Sequence, residues 1–216
     1  MQKPEVRKLS LNGPQGLLQA TLAIPVEISD SVAVVCHPHP LYGGSMDNKV
    51  VHYTARALLD VGVPVLRFNF RGVGESAGSF DEAVGEVEDC MAAVDWLLQN
   101  FPGHQLILAG FSFGSYIALR AAQNLKLGQL ILIAPPVDRY EFSKLQNPTC
   151  PWMVIQGDED EVVAREDVAC WIETTDPEPD FLVMEQADHF FHRRLMDLRG
   201  LLKNGVRPNL PEKASS

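Results

Sequence analysis

A chain of 216 residues, 46% hydrophobic and 21% charged, is long enough to bury one sizeable α/β core. Its net charge of -10 and the lack of any basic stripe argue against nucleic acid as a partner and against binding to an anionic membrane surface. No apolar run approaches the ~20 residues of a bilayer span, and residues 1–12 lack the apolar core of a signal peptide, so a cytoplasmic location is expected.

Strand-like and helix-like segments alternate along the chain. Residues 6–11 and 17–24, separated by Asn12-Gly13-Pro14-Gln15-Gly16, read as an antiparallel hairpin. A strand at 31–36, a helix at 45–61, a strand at 64–70 and a helix at 80–101 follow. The apolar run 105–109 reads as a buried strand, and 116–122 as the helix after it. Strands at 129–134, 152–156 and 181–185 then alternate with helices at 161–174 and 190–203. The later strands are continuously apolar, as expected when helices cover both faces of a parallel sheet. The expected fold is a single domain over 1–216, a doubly wound, mostly parallel sheet with an antiparallel start. Residues 204–216 are polar and contain proline, and read as a frayed tail. Only about 17 residues lie between the strands ending near 134 and starting near 152, which leaves no room for a cap domain and predicts an open site.

Chemistry concentrates at Gly110-Phe111-Ser112-Phe113-Gly114. A serine on a tight strand-to-helix turn has its hydroxyl pushed clear of the sheet, and flanking glycines permit the close backbone. The pattern alone is weak, because Gly74-Glu75-Ser76-Ala77-Gly78 also matches it. Ser76 lies six residues beyond its strand and is separated from the next helix, whereas Ser112 has strand and helix in immediate succession. The loop around Ser76 also reads Gly72-x-Gly74-x-x-Ala77, a dinucleotide-like pattern, but its helix starts too late to meet a pyrophosphate. A structural glycine loop is expected there, with Arg71 either at the pocket rim or tying the loop down through carbonyl groups. No cofactor is expected.

A seryl nucleophile needs an imidazole, and the imidazole needs a carboxylate. The strand at 152–156 is followed by Gly157-Asp158-Glu159-Asp160-Glu161, and the strand at 181–185 by Gln186-Ala187-Asp188-His189. Asp160 is preferred as the acid because it lies a turn beyond the strand, while Asp158 reads as a turn carboxylate. His189 follows a late strand directly and is preferred over His192, which falls in the expected helix. Two backbone amides should hold an oxyanion: that of Phe113, and one from the loop Pro38-His39-Pro40-Leu41, with His39 first and Leu41 second because proline cannot donate. His37-x-His39 lacks nearby acidic or thiol ligands, so no metal is expected. The four cysteines are scattered, without metal-type pairing, and fit reduced, mostly buried thiols. Cys36 beside His37 is a poor nucleophile–base pair, since adjacent strand residues point to opposite faces.

Taken together, the stretch from Cys36-His37-Pro38-His39-Pro40-Leu41-Tyr42-Gly43-Gly44 through Met46-Asp47-Asn48-Lys49, then Asn69-Phe70-Arg71-Gly72-Val73-Gly74-Glu75-Ser76, Gly110–Gly114 and Ala187-Asp188-His189-Phe190-Phe191, resembles the α/β-hydrolase superfamily, within it a small bacterial group of lid-less hydrolases. The resemblance implies Ser112 as nucleophile, Asp160 as acid and His189 as general base. The chain is similar in size to dienelactone hydrolase, but that enzyme uses cysteine where this chain has Ser112. The expected reaction is hydrolysis of a small ester or thioester through an acyl-serine, with an apolar rim of Phe111, Phe113, Tyr42 and Phe190. The alternatives are a non-catalytic binding protein that keeps the fold and, within the same class, a peptidase. The expected partner is a small-molecule ester, with a homodimer left open.

Overall fold

The computed structural model describes residues 3–211. Eight strands form one sheet in the order β1-β2-β4-β3-β5-β6-β7-β8. β1 (Glu5–Gly13) and β2 (Gly16–Ile24) pair antiparallel from Glu5↔Ile24 to Gly13↔Gly16, leaving a two-residue turn at Pro14-Gln15. β2 is also antiparallel to β4 (Val65–Phe68). The remaining pairings are all parallel: β4 with β3 (Ser31–Cys36), β3 with β5 (Gln105–Phe111), then β6 (Gln129–Ile133), β7 (Trp152–Gly157) and β8 (Asp180–Met184).

Successive side chains on the central strands enter opposite cores, which is why these strands read as unbroken apolar runs. On β5, Leu106 and Leu108 join one core, Ile107, Ala109 and Phe111 the other. The first core is closed by α2 (Val84–Asn100), α3 (Phe113–Ala122) and α4 (Arg165–Ile172), through residues such as Leu97, Ile117 and Trp171. α1 (Lys49–Leu59) and α5 (Leu195–Val206) cover the second with Val51, Leu58, Leu198 and Leu202. Residues 134–151 hold only a 3-10 turn at Phe142–Lys144, so among the described residues no cap domain is inserted between β6 and β7.

Four helices start later than their periodicity suggests, for a common reason: polar side chains capture local amides that a helix would otherwise use. Asn48 Oδ1 accepts from the Val50 amide, so α1 begins at Lys49 rather than at 45. Glu86 Oε1 accepts from Asp81, and Glu82 and Ala83 are left-handed (φ 48° and 70°), which moves the start of α2 from 80 to Val84. Asp160 Oδ1 accepts from the Val162 and Val163 amides and delays α4. Asp188 Oδ1 does the same with Phe190 and His192, and Phe191 and Arg193 are left-handed, so α5 starts at Leu195 and His192 precedes it. The strand read at 64–70 is shorter, Val65–Phe68, because the Phe70 amide turns to His37 Nε2. Residues 204–210, expected to be frayed, are ordered. α5 continues to Val206, which is buried, and a 3-10 turn at Arg207–Asn209 sets Leu210 against the core; of the expected tail, 212–216 lie outside the described residues.

Candidate active site

The strand–turn–helix at Ser112 is tighter than the apolar run alone implied. β5 runs through Gly110 and Phe111, Ser112 follows at once, and α3 begins at Phe113. Ser112 has φ 52° and ψ -122°, a strained conformation for a residue with a Cβ. The strain is held by three bonds: the Ser112 amide donates to Ile133 O at 2.8 Å, and its carbonyl accepts from the Ser115 amide and hydroxyl at 2.8 and 2.6 Å. Glycines are required on either side by contact. A Cβ on Gly110 would lie 2.0 Å from Gly114 O, and one on Gly114 would lie 2.4 Å from Cys36 O, at the end of β3.

Two loops bring partners to the serine. The turn after β8 delivers His189, whose Nε2 lies 3.0 Å from Ser112 Oγ. The turn after β7 delivers Asp160, whose Oδ2 lies 2.8 Å from His189 Nδ1. A carboxylate acceptor at Nδ1 fixes the proton there, which leaves Nε2 free to accept the serine proton. Both Asp160 and His189 are buried, and Phe111 packs under the imidazole at 5.2 Å. Asp160 is held on all sides: Oδ1 by the Val162 and Val163 amides, Oδ2 by His189 and by Gln156 Nε2 at 2.9 Å. Gln156, on β7, also donates to Val163 O, while its own Oε1 is buried without a partner among the described residues. Asp158 stands apart, its Oδ1 3.4 Å from the Ala187 amide. His192 is engaged by Asp188 at 2.7 Å on the exposed side.

The loop after β3 forms the opposite wall. His39 Nδ1 accepts from the Leu41 amide at 3.2 Å, so Leu41 has its N–H occupied. The amides of His39 and of Phe113, the first residue of α3, make no hydrogen bond among the described residues, and both residues line the cleft. The His39 ring packs on Tyr42, Phe80 and Phe113 at 4.6, 4.8 and 5.0 Å; burial lowers its pKa. His37 is a brace rather than a ligand: Nε2 accepts from the Phe70 amide and Nδ1 donates to Pro38 O. Burial holds its pKa down to about 4, so the ring is neutral. With both nitrogens engaged it offers nothing to a metal, and no cluster of three His, Cys, Asp or Glu suited to one occurs among the described residues.

The cleft over Ser112 has a volume of about 690 Å³. Tyr42, Phe113 and Phe190 line it as expected, but Phe111 does not, being buried beneath His189. Tyr140 and Arg139, from the segment after β6, line it instead. Burial pushes the Tyr140 phenol up to about 12 and keeps it protonated. Neither residue carries a sequence signal, since their place depends on how that segment packs. Gln156 does carry one, as the single polar side chain in the run Trp152-Met153-Val154-Ile155-Gln156.

The other candidate groups have structural work. Ser76 is buried, donating to Asn69 O and accepting from the Gln19 amide. Arg71 neither lines the cleft nor binds carbonyl groups. Its guanidinium is buried against α2, with Nε and Nη2 on the Asp89 carboxylate at 3.0 and 2.8 Å and Nη2 also 3.2 Å from Glu88. The Cys36 and Cys90 thiols touch at 3.6 Å in the core, and burial raises the Cys36 pKa well above its ordinary value, which removes it as a nucleophile. Among the described residues, no helix is long and apolar enough to cross a membrane.

Comparison with known proteins gives the family. Residues 33–203 match the family described as an alpha/beta hydrolase domain. A structure from Xanthomonas campestris, described as an α/β serine hydrolase without lid, is 48% identical over 97% of both chains, with a TM-score of 0.93. An alpha-beta serine hydrolase homologue from Coxiella burnetii is 43% identical, covers 93% of this chain and 97% of that one, and has a TM-score of 0.90. An uncharacterized protein of Rickettsia prowazekii (strain Madrid E) is 40% identical over 194 residues, 85% of this chain and 82% of that protein. The chain belongs to the alpha/beta hydrolase family and is similar to its lid-less serine hydrolases.

Proposed function

We propose that the protein is a carboxylesterase that hydrolyses small esters or thioesters through an acyl-Ser112 intermediate. The observation that carries this reading is the unbroken chain Ser112 Oγ–His189 Nε2–His189 Nδ1–Asp160 Oδ2, with links of 3.0 and 2.8 Å, opening on a cleft. Ser112 Oγ attacks the carbonyl carbon as its proton passes to His189 Nε2, and Asp160 stabilises the imidazolium. The carbonyl oxygen takes up the negative charge between the amides of Phe113 and His39, each such donor contributing about 3 kcal/mol in the transition state. Collapse of the tetrahedral species expels the alcohol or thiol, which takes the proton from His189. Water then attacks the acyl group with His189 again as base, releasing the acid and restoring Ser112.

The unoccupied amide of His39, against the occupied one of Leu41, supports His39 as the second donor. The aromatic walls of the cleft favour an apolar acyl group. Steady-state hydrolysis of p-nitrophenyl acetate tests the reading. Ser112→Ala is expected to lower kcat/KM by about a thousandfold or more. Equal rates for the two proteins would leave a binding protein as the better account.

A further inference from the structure

The chain has 28 acidic and 18 basic residues, yet among the described residues no Asp or Glu lines the cleft over Ser112. Asp160, which meets the serine through His189, is buried with both oxygens occupied. One formally charged side chain among the described residues faces that space, Arg139. Its Nη2 donates to Val162 O at 3.0 Å, which ties the guanidinium to the loop after β7. Its Nε lies 3.5 Å from Asp138, a half-exposed pair of little strength. Nη1 has no hydrogen-bond partner among the described residues. A brace between the two loops uses Nη2 alone. What remains is a half-exposed cation with a free donor at the mouth of an aromatic-walled cleft whose lining, among the described residues, holds no carboxylate. The amino end of α3 adds positive potential beside Ser112.

We propose that the substrate is an anionic ester, one whose acyl or alcohol part bears a carboxylate that pairs with Arg139. This rests on the serine-hydrolase reading of Ser112 and narrows it. The carboxylate takes no part in the bond changes. It docks on the guanidinium through Nη1, and thereby sets which end of the ester enters first.

The test uses mono-4-nitrophenyl succinate, charged on the acyl side, and 4-acetoxybenzoate, charged on the leaving group, each against its neutral methyl ester. Wild type is expected to show kcat/KM about tenfold higher for at least one charged member than for its methyl ester, a ratio that falls with added salt. Arg139→Met should bring that ratio to about one, and Arg139→Lys should restore part of it. A wild-type ratio of one or less overturns the proposal. So does an Arg139→Met rate loss shared equally by charged and neutral esters, which is the mark of a brace. Calorimetric titration of the Ser112→Ala protein with monomethyl succinate and 4-acetoxybenzoate separates the two claims. Binding lost on adding Arg139→Met, with none of the four esters turned over by wild type, would sink the hydrolase reading and keep the anion site; the absence of such binding would sink the anion site.

Discussion

Replacing Gln156 with methionine separates the positioning of Asp160 from the stability of the fold. Gln156 is fully buried on β7 and donates twice from Nε2, to Asp160 Oδ2 and to Val163 O, both at 2.9 Å. Two such bonds contribute about 2 kcal/mol net, and losing them leaves Val163 O unpaired. Among the described residues Gln156 Oε1 is a buried acceptor without a partner, and the substitution removes it together with its desolvation cost of about 1–3 kcal/mol. Methionine has the same length and adapts to the space. The gain offsets only part of the loss, because one lost bond is to a carboxylate and the other orphans Val163 O, so unfolding free energy should fall by about 2 kcal/mol. Activity has no such offset. Asp160 Oδ2 keeps His189 but loses its other donor, while Oδ1 retains the Val162 and Val163 amides. Losing one charge-assisted bond from the group that orients His189 should lower kcat about tenfold with KM little changed. The measurement is p-nitrophenyl acetate kinetics beside urea denaturation of the same preparations. A kcat within twofold of wild type would refute the reasoning, as would a stability loss above about 3 kcal/mol, which would make Gln156 a structural residue first.

Other changes probe neighbouring links. Asp160→Asn should cut kcat by about 10³–10⁴, whereas Asp158→Asn should leave it within about twofold; a large loss from Asp158 instead would reverse the choice of acid. Gly114→Ala puts a methyl 2.4 Å from Cys36 O and 2.6 Å from His37 O, so it should cost about 1–3 kcal/mol in urea denaturation and displace the His39 amide, lowering kcat. His37 is neutral when folded, with a pKa near 4, against an ordinary value of 6.5. The unfolded chain binds the proton first, so the contribution of His37 is intact above pH 6.5 and shrinks as pH falls toward 4, by about 3 kcal/mol. Denaturant midpoints for His37→Gln should therefore fall less steeply over that window than those of wild type; parallel curves would contradict the burial account.

The fold was legible because its central strands are buried on both faces and therefore write unbroken apolar runs, as in Leu106-Ile107-Leu108 and Leu130-Ile131-Leu132-Ile133. Helix starts were not. Their expected and observed positions, 45 and 49, 80 and 84, 161 and 165, 190 and 195, differ because the loops at the carboxyl ends of the strands spend amides on polar side chains. Two of those side chains, Asp160 and Asp188, flank the candidate site, so a blurred helix boundary marks functional loops. The three side chains Ser112, Asp160 and His189 could be picked out because each stands just after a strand. Arg139 and Tyr140 could not, because nothing local to the segment 134–151 says which side chains will turn toward Ser112.

The central claim is that Ser112 becomes acylated. Wild-type protein mixed with p-nitrophenyl acetate, quenched rapidly in acid and digested, should yield one acetylated peptide carrying the group on Ser112, together with a burst of p-nitrophenolate equal to the enzyme present. Neither should occur with Ser112→Ala. Turnover with no adduct on Ser112, or with the acetyl group on another serine or on a cysteine, would contradict the account.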